Sequence, residues 1–137
     1  MVQARQLAQV YEKYDHFYFT FSGDVAEALA KNNHVHTIKN ITKSNPLSWI
    51  TGLVHSCWIA LTERPDVVIS TGAGVVVFLC IFAKILGAKL IFLESMAKVD
   101  RPTLTARFLY PFADLFLVQW PGLLKYFPRA KYYGRLF

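Results

Sequence analysis

Pro65-Asp66-Val67-Val68-Ile69-Ser70-Thr71-Gly72-Ala73-Gly74 is the stretch that decides the fold. It reads as a short, continuously apolar strand over residues 67–70 and a tight glycine turn over residues 71–74. An apolar helix follows to Leu86, closed by Gly87 at the left-handed position that ends many helices. Residues 90–93 then form a second uninterrupted apolar strand. Strands that are apolar throughout, rather than at alternate positions, belong to parallel sheets covered on both faces.

The same alternation continues outward from this unit. Residues 2–14 carry Leu7, Val10, Tyr11 and Tyr14 at helical spacing, and residues 17–21 are a short aromatic strand. Asp24, with Glu27 three positions on, resembles a capping box for a helix running to Asn32 and Asn33. Residues 35–38 are a weak strand, followed by a polar loop to Asn45. Asn45 and Pro46 suit a helix entry, because Asn caps free N–H groups and Pro loses nothing at the first position. That helix carries an apolar stripe of Leu47, Ile50, Leu53, Cys57 and Leu61, widened by Trp49 and Trp58, and stops before Pro65. Beyond Glu94 come a polar loop to Asp100, a short helix from Pro102 that ends near Tyr110, and a strand over 115–118. A turn of helix over 121–126 and an extended piece over 132–137 close the chain. The expectation is one α/β domain over residues 1–137, a Rossmann-like doubly wound parallel sheet. Such a domain normally begins with a strand that becomes central. This chain opens on a helix, so the first strand is expected to be lacking, through truncation upstream or a sheet built without it.

Composition narrows the function. With 137 residues, 54% of them hydrophobic, and a mean hydropathy of +0.30, the chain is not a disordered tail. It is one domain long, whereas an enzyme clamping two substrates between large lobes needs about twice as much, at roughly 100–200 residues per domain. The densest apolar run, residues 75–83, ends at Lys84, well short of the roughly 20 residues a bilayer-crossing helix requires. No secretory signal pattern opens the chain. Cys57 and Cys80 lie in apolar helices without ligand-spaced companions, as expected of buried reduced thiols in a cytosolic protein.

Of the net charge of +6, five positives fall after Glu94, where Lys98, Arg101, Arg107, Lys125, Arg129, Lys131 and Arg135 face only Asp100 and Asp114. Basic residues among aromatics suit nucleic acid, an anionic membrane surface or phosphorylated ligands, or form an ordinary solvated surface. Open parallel sheets bind ligands beyond the carboxyl ends of their strands. That directs attention to the turn carrying Ser70, Thr71, Gly72 and Gly74, to Glu94, Ser95, Lys98 and Arg101, and to Gln119 and Trp120 as a cleft edge. The glycine turn before a helix offers N–H groups and a dipole to a phosphate, though Val77 occupies the third position of a dinucleotide fingerprint. Glu94 closes an apolar strand, so its carboxylate is either paired structurally with Lys98 or Arg101, or used to bind a sugar hydroxyl or position a loop. His34 and His36 share one strand face at chelating spacing, but no third ligand stands near in sequence, and no metal is expected.

Read together, residues 65–74, 88–95, 103–107 and 113–120, with Tyr133 and Gly134, resemble the membrane-anchoring subunit family of the N-acetylglucosaminyltransferase that builds dolichol-linked oligosaccharide. They are still more similar to that family's bacterial counterparts in capsule and exopolysaccharide synthesis. The resemblance implies the acceptor-side, N-terminal half of a GT-B-type glycosyltransferase split over two chains. It implies a nucleotide-sugar-binding catalytic partner, a lipid-linked acceptor, no cofactor beyond the nucleotide sugar held by that partner, no nucleic acid, and a peripheral position on the cytoplasmic face of the cell membrane. By similarity to the single-chain lipid glycosyltransferase of peptidoglycan synthesis, the turn from Ser70 to Gly74 lies where the lipid pyrophosphate approaches. Glu94 lines the cleft as the candidate catalytic residue. The family's opening strand and glycine-rich loop ending in Gly-His are absent before the first helix, which is the same gap the fold logic exposes. Two other readings remain at this point: a stand-alone phosphate- or nucleotide-binding module, and a non-catalytic anchor that recruits an enzyme.

Overall fold

The structure, a computed structural model, describes residues 7–38, 46–72, 74–97, 99 and 101–134. In chain order the elements are α1 (Ala8–Tyr11), β1 (Phe17–Phe21), α2 (Asp24–Ala30), β2 (His34–Ile38), α3 (Pro46–Glu63), β3 (Val67–Ser70), a 3-10 turn (Gly74–Val76) leading into α4 (Val77–Ile85), β4 (Lys89–Leu93), α5 (Leu104–Leu109), β5 (Leu115–Leu117) and a second 3-10 segment (Pro121–Lys125). Every strand pairing is parallel. The chain is therefore α/β with parallel sheets, consistent with a Rossmann-like fold.

The expected single sheet is instead two pieces. β1 pairs with β2, while β3, β4 and β5 form a three-stranded sheet in that order. No ladder joins β1 to β3 among the described residues, and between them lies a cavity of about 790 Å³, lined by Phe17 and Phe19 on one side and residues 67–70 on the other. The full covering predicted for the strands holds best at β4, where Leu90, Phe92 and Leu93 are buried, whereas β1 is half-buried along its length. The core gathers on the three-stranded sheet, with Cys80, Leu90, Ala106, Leu109 and Phe127 around the Phe92 and Phe116 rings, stacked 4.9 Å apart. A smaller cluster of Ile59, Ala60 and Leu79 takes Phe17, Phe19 and Phe82.

Several elements differ from expectation for local reasons. The first helix is described only over Ala8–Tyr11, the rest of its predicted span lying partly outside the described residues. Asp24 is the first helical residue of α2 rather than its cap: the cap is Gly23, and the Glu27 N–H donates to the Gly23 carbonyl instead of joining a side-chain box. The predicted Asn45 cap lies outside the described residues. The apolar stripe of α3 points outward. Leu47, Ile50, Leu53 and Leu61 are exposed and Cys57 half-buried, while Gly52, Ser56, Ile59 and Ala60 face inward. Small residues on that inner face let α4 pack closely through Leu79 and Ala83. Gly87, at φ 100°, ends α4 in the left-handed conformation predicted for it. No strand forms over 132–134; the pairing there is a single bridge from Leu117 to Lys131, and residues 135–137 lie outside the described residues.

Candidate functional site

Parallel strands bring their carboxyl ends to one edge, so the turns after β3, β4 and β5 meet although they are far apart in sequence. After β3, the Ser70 hydroxyl accepts a hydrogen bond from the Gly72 N–H at 3.5 Å, and Gly72 takes φ 91°. A Cβ on Gly72 would stand 3.7 Å from Phe92 Cζ and 3.9 Å from Glu94 Oε1, so this backbone lies directly over the Glu94 carboxylate. A 3-10 turn that starts at an exposed Gly74 leads into α4, whose N-cap, Val76, supplies no side-chain hydrogen bond.

Glu94 is fully buried. Its Oε1 accepts from the Ser95 N–H at 2.9 Å and from the Thr103 hydroxyl at 3.1 Å, and its Oε2 accepts from the Thr103 N–H at 3.2 Å. The Thr103 hydroxyl in turn accepts from the Ala106 N–H at 3.0 Å, capping α5. The carboxylate thus ties the end of β4 to the start of α5 and closes the loop between them. The ion pair weighed for Glu94 does not form among the described residues: Arg101 is exposed, and Lys98 lies outside them. Buried hydrogen bonds from neutral donors take the place of a cation.

The strand end of β5 completes the edge. Gln119 is buried and donates its Nε2 to the Glu94 carbonyl at 3.2 Å, while its Oε1 finds no hydrogen-bond partner among the described residues. The Trp120 indole donates to the Met96 carbonyl at 2.8 Å, and the Ser95 hydroxyl accepts from the Ala97 N–H at 3.3 Å. Ser70, Thr71, Gly72, Gly74, Glu94, Ser95, Gln119 and Trp120 therefore lie around one edge, as the sequence anticipated. Thr103 was missed as a site residue, although its place just after Pro102 and ahead of an apolar helical run is a cap signal.

Chemically the edge is a polar rim: a glycine turn leading through a 3-10 turn into α4, a buried amide oxygen with no hydrogen-bond partner among the described residues, and a loop locked by a carboxylate already supplied with donors. Such a rim receives anionic or hydroxyl-rich groups. At the opposite end of the sheet, the expectation that His34 and His36 lack a third ligand is corrected. Glu63 stands 2.7 Å from His36, because α3 runs antiparallel to the strands and ends beside the start of β2.

The family model described as "Oligosaccharide biosynthesis protein Alg14 like" matches residues 5–136. Among curated proteins, the chain is 35% identical over 107 residues to the UDP-N-acetylglucosamine transferase subunit ALG14 of Yarrowia lipolytica, covering 72% of this chain and 50% of that protein. The Schizosaccharomyces pombe subunit of the same name is 44% identical over 102 residues, covering 64% and 49%. The Homo sapiens subunit is 29% identical over 116 residues, covering 75% and 53%. The chain spans about half the length of the curated relatives it matches.

Proposed function

The chain belongs to the Alg14-like family of oligosaccharide biosynthesis proteins, and from that premise we propose that it is the acceptor-side subunit of a two-chain glycosyltransferase. In this reading a catalytic partner binds the nucleotide sugar, and this chain presents a lipid-linked acceptor at the cytoplasmic membrane face. The observation that carries the reading is the polar rim at the carboxyl ends of β3, β4 and β5. There a glycine turn leading into α4, the buried Gln119 Oε1 with no partner among the described residues and a locked loop converge on one edge. In open α/β sheets that edge is where ligands bind.

The residues divide the work as follows. The turn carrying Ser70, Thr71, Gly72 and Gly74, with Ser95 beside it, receives the acceptor pyrophosphate through N–H groups and the dipole of α4. Arg101 and Lys98 add positive charge from the following loop. Glu94, with both oxygens supplied by donors, acts on the reaction by fixing that loop, and so is a positioning residue. Gln119 and Trp120 form the cleft edge that faces the partner. The cavity between β1 and β3 supports completion of the sheet by one further parallel strand, which is the GT-B-type arrangement. A capsule or exopolysaccharide as the product rests on the sequence resemblance alone, since the curated relatives named above are eukaryotic.

Membrane contact falls to α3. No helix among the described residues is long and apolar enough to cross a bilayer, but Leu47, Ile50, Val54, Trp58 and Leu61 are exposed along one side of α3. Trp side chains and apolar residues on an exposed face suit burial in a membrane interface. The test is sugar transfer from labelled nucleotide sugar to lipid in membranes of a strain deleted for this gene, with the catalytic partner present. Transfer should require the full-length protein and fall at least about tenfold with Gly72→Val. Transfer that is independent of this protein refutes the reading, and tight nucleotide binding by the isolated chain favours a stand-alone module.

A further inference from the structure

We propose that His34, His36 and Glu63 form a binding site for one zinc-type divalent ion that pins the two-stranded sheet to α3. His34 and His36 stand two apart on β2 and project from the same face, their ring centroids 4.6 Å apart. Glu63, the last residue of α3, places Oε1 2.7 Å from His36 Nε2 and 3.8 Å from His34 Nε2. One ligand atom from each of the three lies within 4.8 Å of the others. Tetrahedral zinc, with bonds of about 2.0–2.2 Å, sets ligand atoms roughly 3.3–3.5 Å apart. The observed separations straddle that distance, so side-chain rotation alone admits the ion.

The surroundings fit a built site. The Phe17 and Trp58 rings stand edge-to-face with the His36 imidazole, at centroid distances of 5.4 and 6.3 Å, which restricts its orientation. His36 and Glu63 are mostly covered, whereas His34 is 59% exposed, giving an entry path and a fourth position for water. Two imidazoles and one carboxylate favour zinc and its borderline neighbours over calcium or magnesium, which prefer all-oxygen shells. The site lies at the amino ends of the strands, away from Glu94 and the polar rim, so its role is structural. It bridges β2 and the end of α3, across the part of the fold where no strand ladder among the described residues joins the two sheets.

The test uses the full chain stripped with EDTA and titrated with zinc chloride by calorimetry, with cobalt(II) visible spectra reporting coordination geometry. One ion per chain is expected, with a thermal midpoint several degrees higher at saturation. Loss of an outer-shell partner alone weakens metal affinity by about 10–100-fold, so His36→Gln and Glu63→Gln should weaken binding at least that much while far-ultraviolet circular dichroism is unchanged. His34→Gln should do the same, and Cys57→Ser should bind as the parent does. Absence of stoichiometric binding, undiminished binding in the folded His36→Gln and Glu63→Gln variants, or its loss in Cys57→Ser overturns the proposal.

Discussion

Thr103→Val tests the lock at the candidate site with little change of shape. The substitution keeps the side-chain volume and the β-branch but removes a hydroxyl that does two jobs. As acceptor, that oxygen caps α5 through the Ala106 N–H at 3.0 Å; as donor, its single proton is shared between Glu94 Oε1 at 3.1 Å and Oε2 at 3.2 Å. Loss of a Thr cap costs about 0.5–2 kcal/mol. Loss of a hydrogen bond to a charged group costs about 1.5–3 kcal/mol, and more where, as here, the carboxylate has no exposure to water. The two terms share an atom and are not additive, so about 2–4 kcal/mol is expected from Thr103→Val, against less than about 1 kcal/mol from Thr103→Ser, which keeps the hydroxyl. Urea unfolding monitored by circular dichroism measures both. A double-mutant cycle with Glu94→Gln should show coupling of about 1 kcal/mol or more, because that amide sets an NH₂ group against the Ser95 or Thr103 N–H. If Thr103→Val stays within about 0.5 kcal/mol of the parent, or Thr103→Ser costs as much, the carboxylate does not lock the loop.

Four further outcomes follow from the geometry. Gly72→Ala meets only ordinary contacts at 3.7 and 3.9 Å, so its cost is that of a left-handed alanine, about 1–2 kcal/mol; Gly87→Ala, in open space at φ 100°, should cost as much in urea unfolding yet leave transfer unchanged. Asp114 is held down to about pKa 2, chiefly by the Lys84 ammonium at 2.6 Å and then by the Leu90 N–H. Its contribution to stability is therefore complete above the unfolded value of 3.8 and is lost as pH falls toward 2, so the stability gap between the parent and Lys84→Met should close over that window. Burial pushes the Cys80 thiol up to about 12, so maleimide at pH 8 should label the half-buried Cys57 and spare Cys80 until the chain unfolds; equal labelling of both in the native state refutes the packing. Ile50→Glu with Trp58→Glu should weaken co-sedimentation with anionic vesicles about a hundredfold without unfolding the protein, and unchanged binding would exclude this face as the membrane contact.

What was legible in the sequence was whatever local chemistry decides. The strand from Val67 to Ser70, the glycine turn, the Gly87 stop and the strand around Phe92 follow from continuous apolarity and from positions that only glycine occupies cheaply, and all appear in place. The polar rim was legible because topology sends every strand end of a parallel sheet to one edge, which needs only the order of elements. What failed depended on distant partners. Glu94 was matched with Lys98 and Arg101, while its donors are the N–H of Ser95 and the N–H and hydroxyl of Thr103, nine residues away. His34 and His36 lacked a third ligand only as long as the antiparallel return of α3, which delivers Glu63, was not considered. The division of the sheet was invisible for the same reason: no residue in Phe17–Phe21 signals that its second edge has no partner strand among the described residues.

The outward stripe of α3 carries information beyond the existence of the helix. Periodicity reports that a helix has an apolar side, but not which side is inside. In α3 both sides are apolar, and packing chooses between them by size: Gly52, Ser56 and Ala60 allow α4 to approach, a closeness that the bulk of Leu47, Ile50, Val54 and Trp58 would prevent. The large residues are therefore turned outward, over three helical turns and without a Lys, Arg, Asp or Glu before Glu63. Fully burying each such side chain is worth about 1.5–3 kcal/mol, and Leu47, Ile50, Val54, Trp58 and Leu61 are each 50–64% exposed, so the face forgoes on the order of 5 kcal/mol, a large part of the stability of a domain. A continuous apolar face of that size marks an interaction surface. Its position on α3, which leads directly into β3 and the Ser70 to Gly74 turn, couples whatever covers the helix to the rim where the acceptor is proposed to bind. A membrane interface on that face would therefore place a lipid-linked acceptor beside its own binding edge.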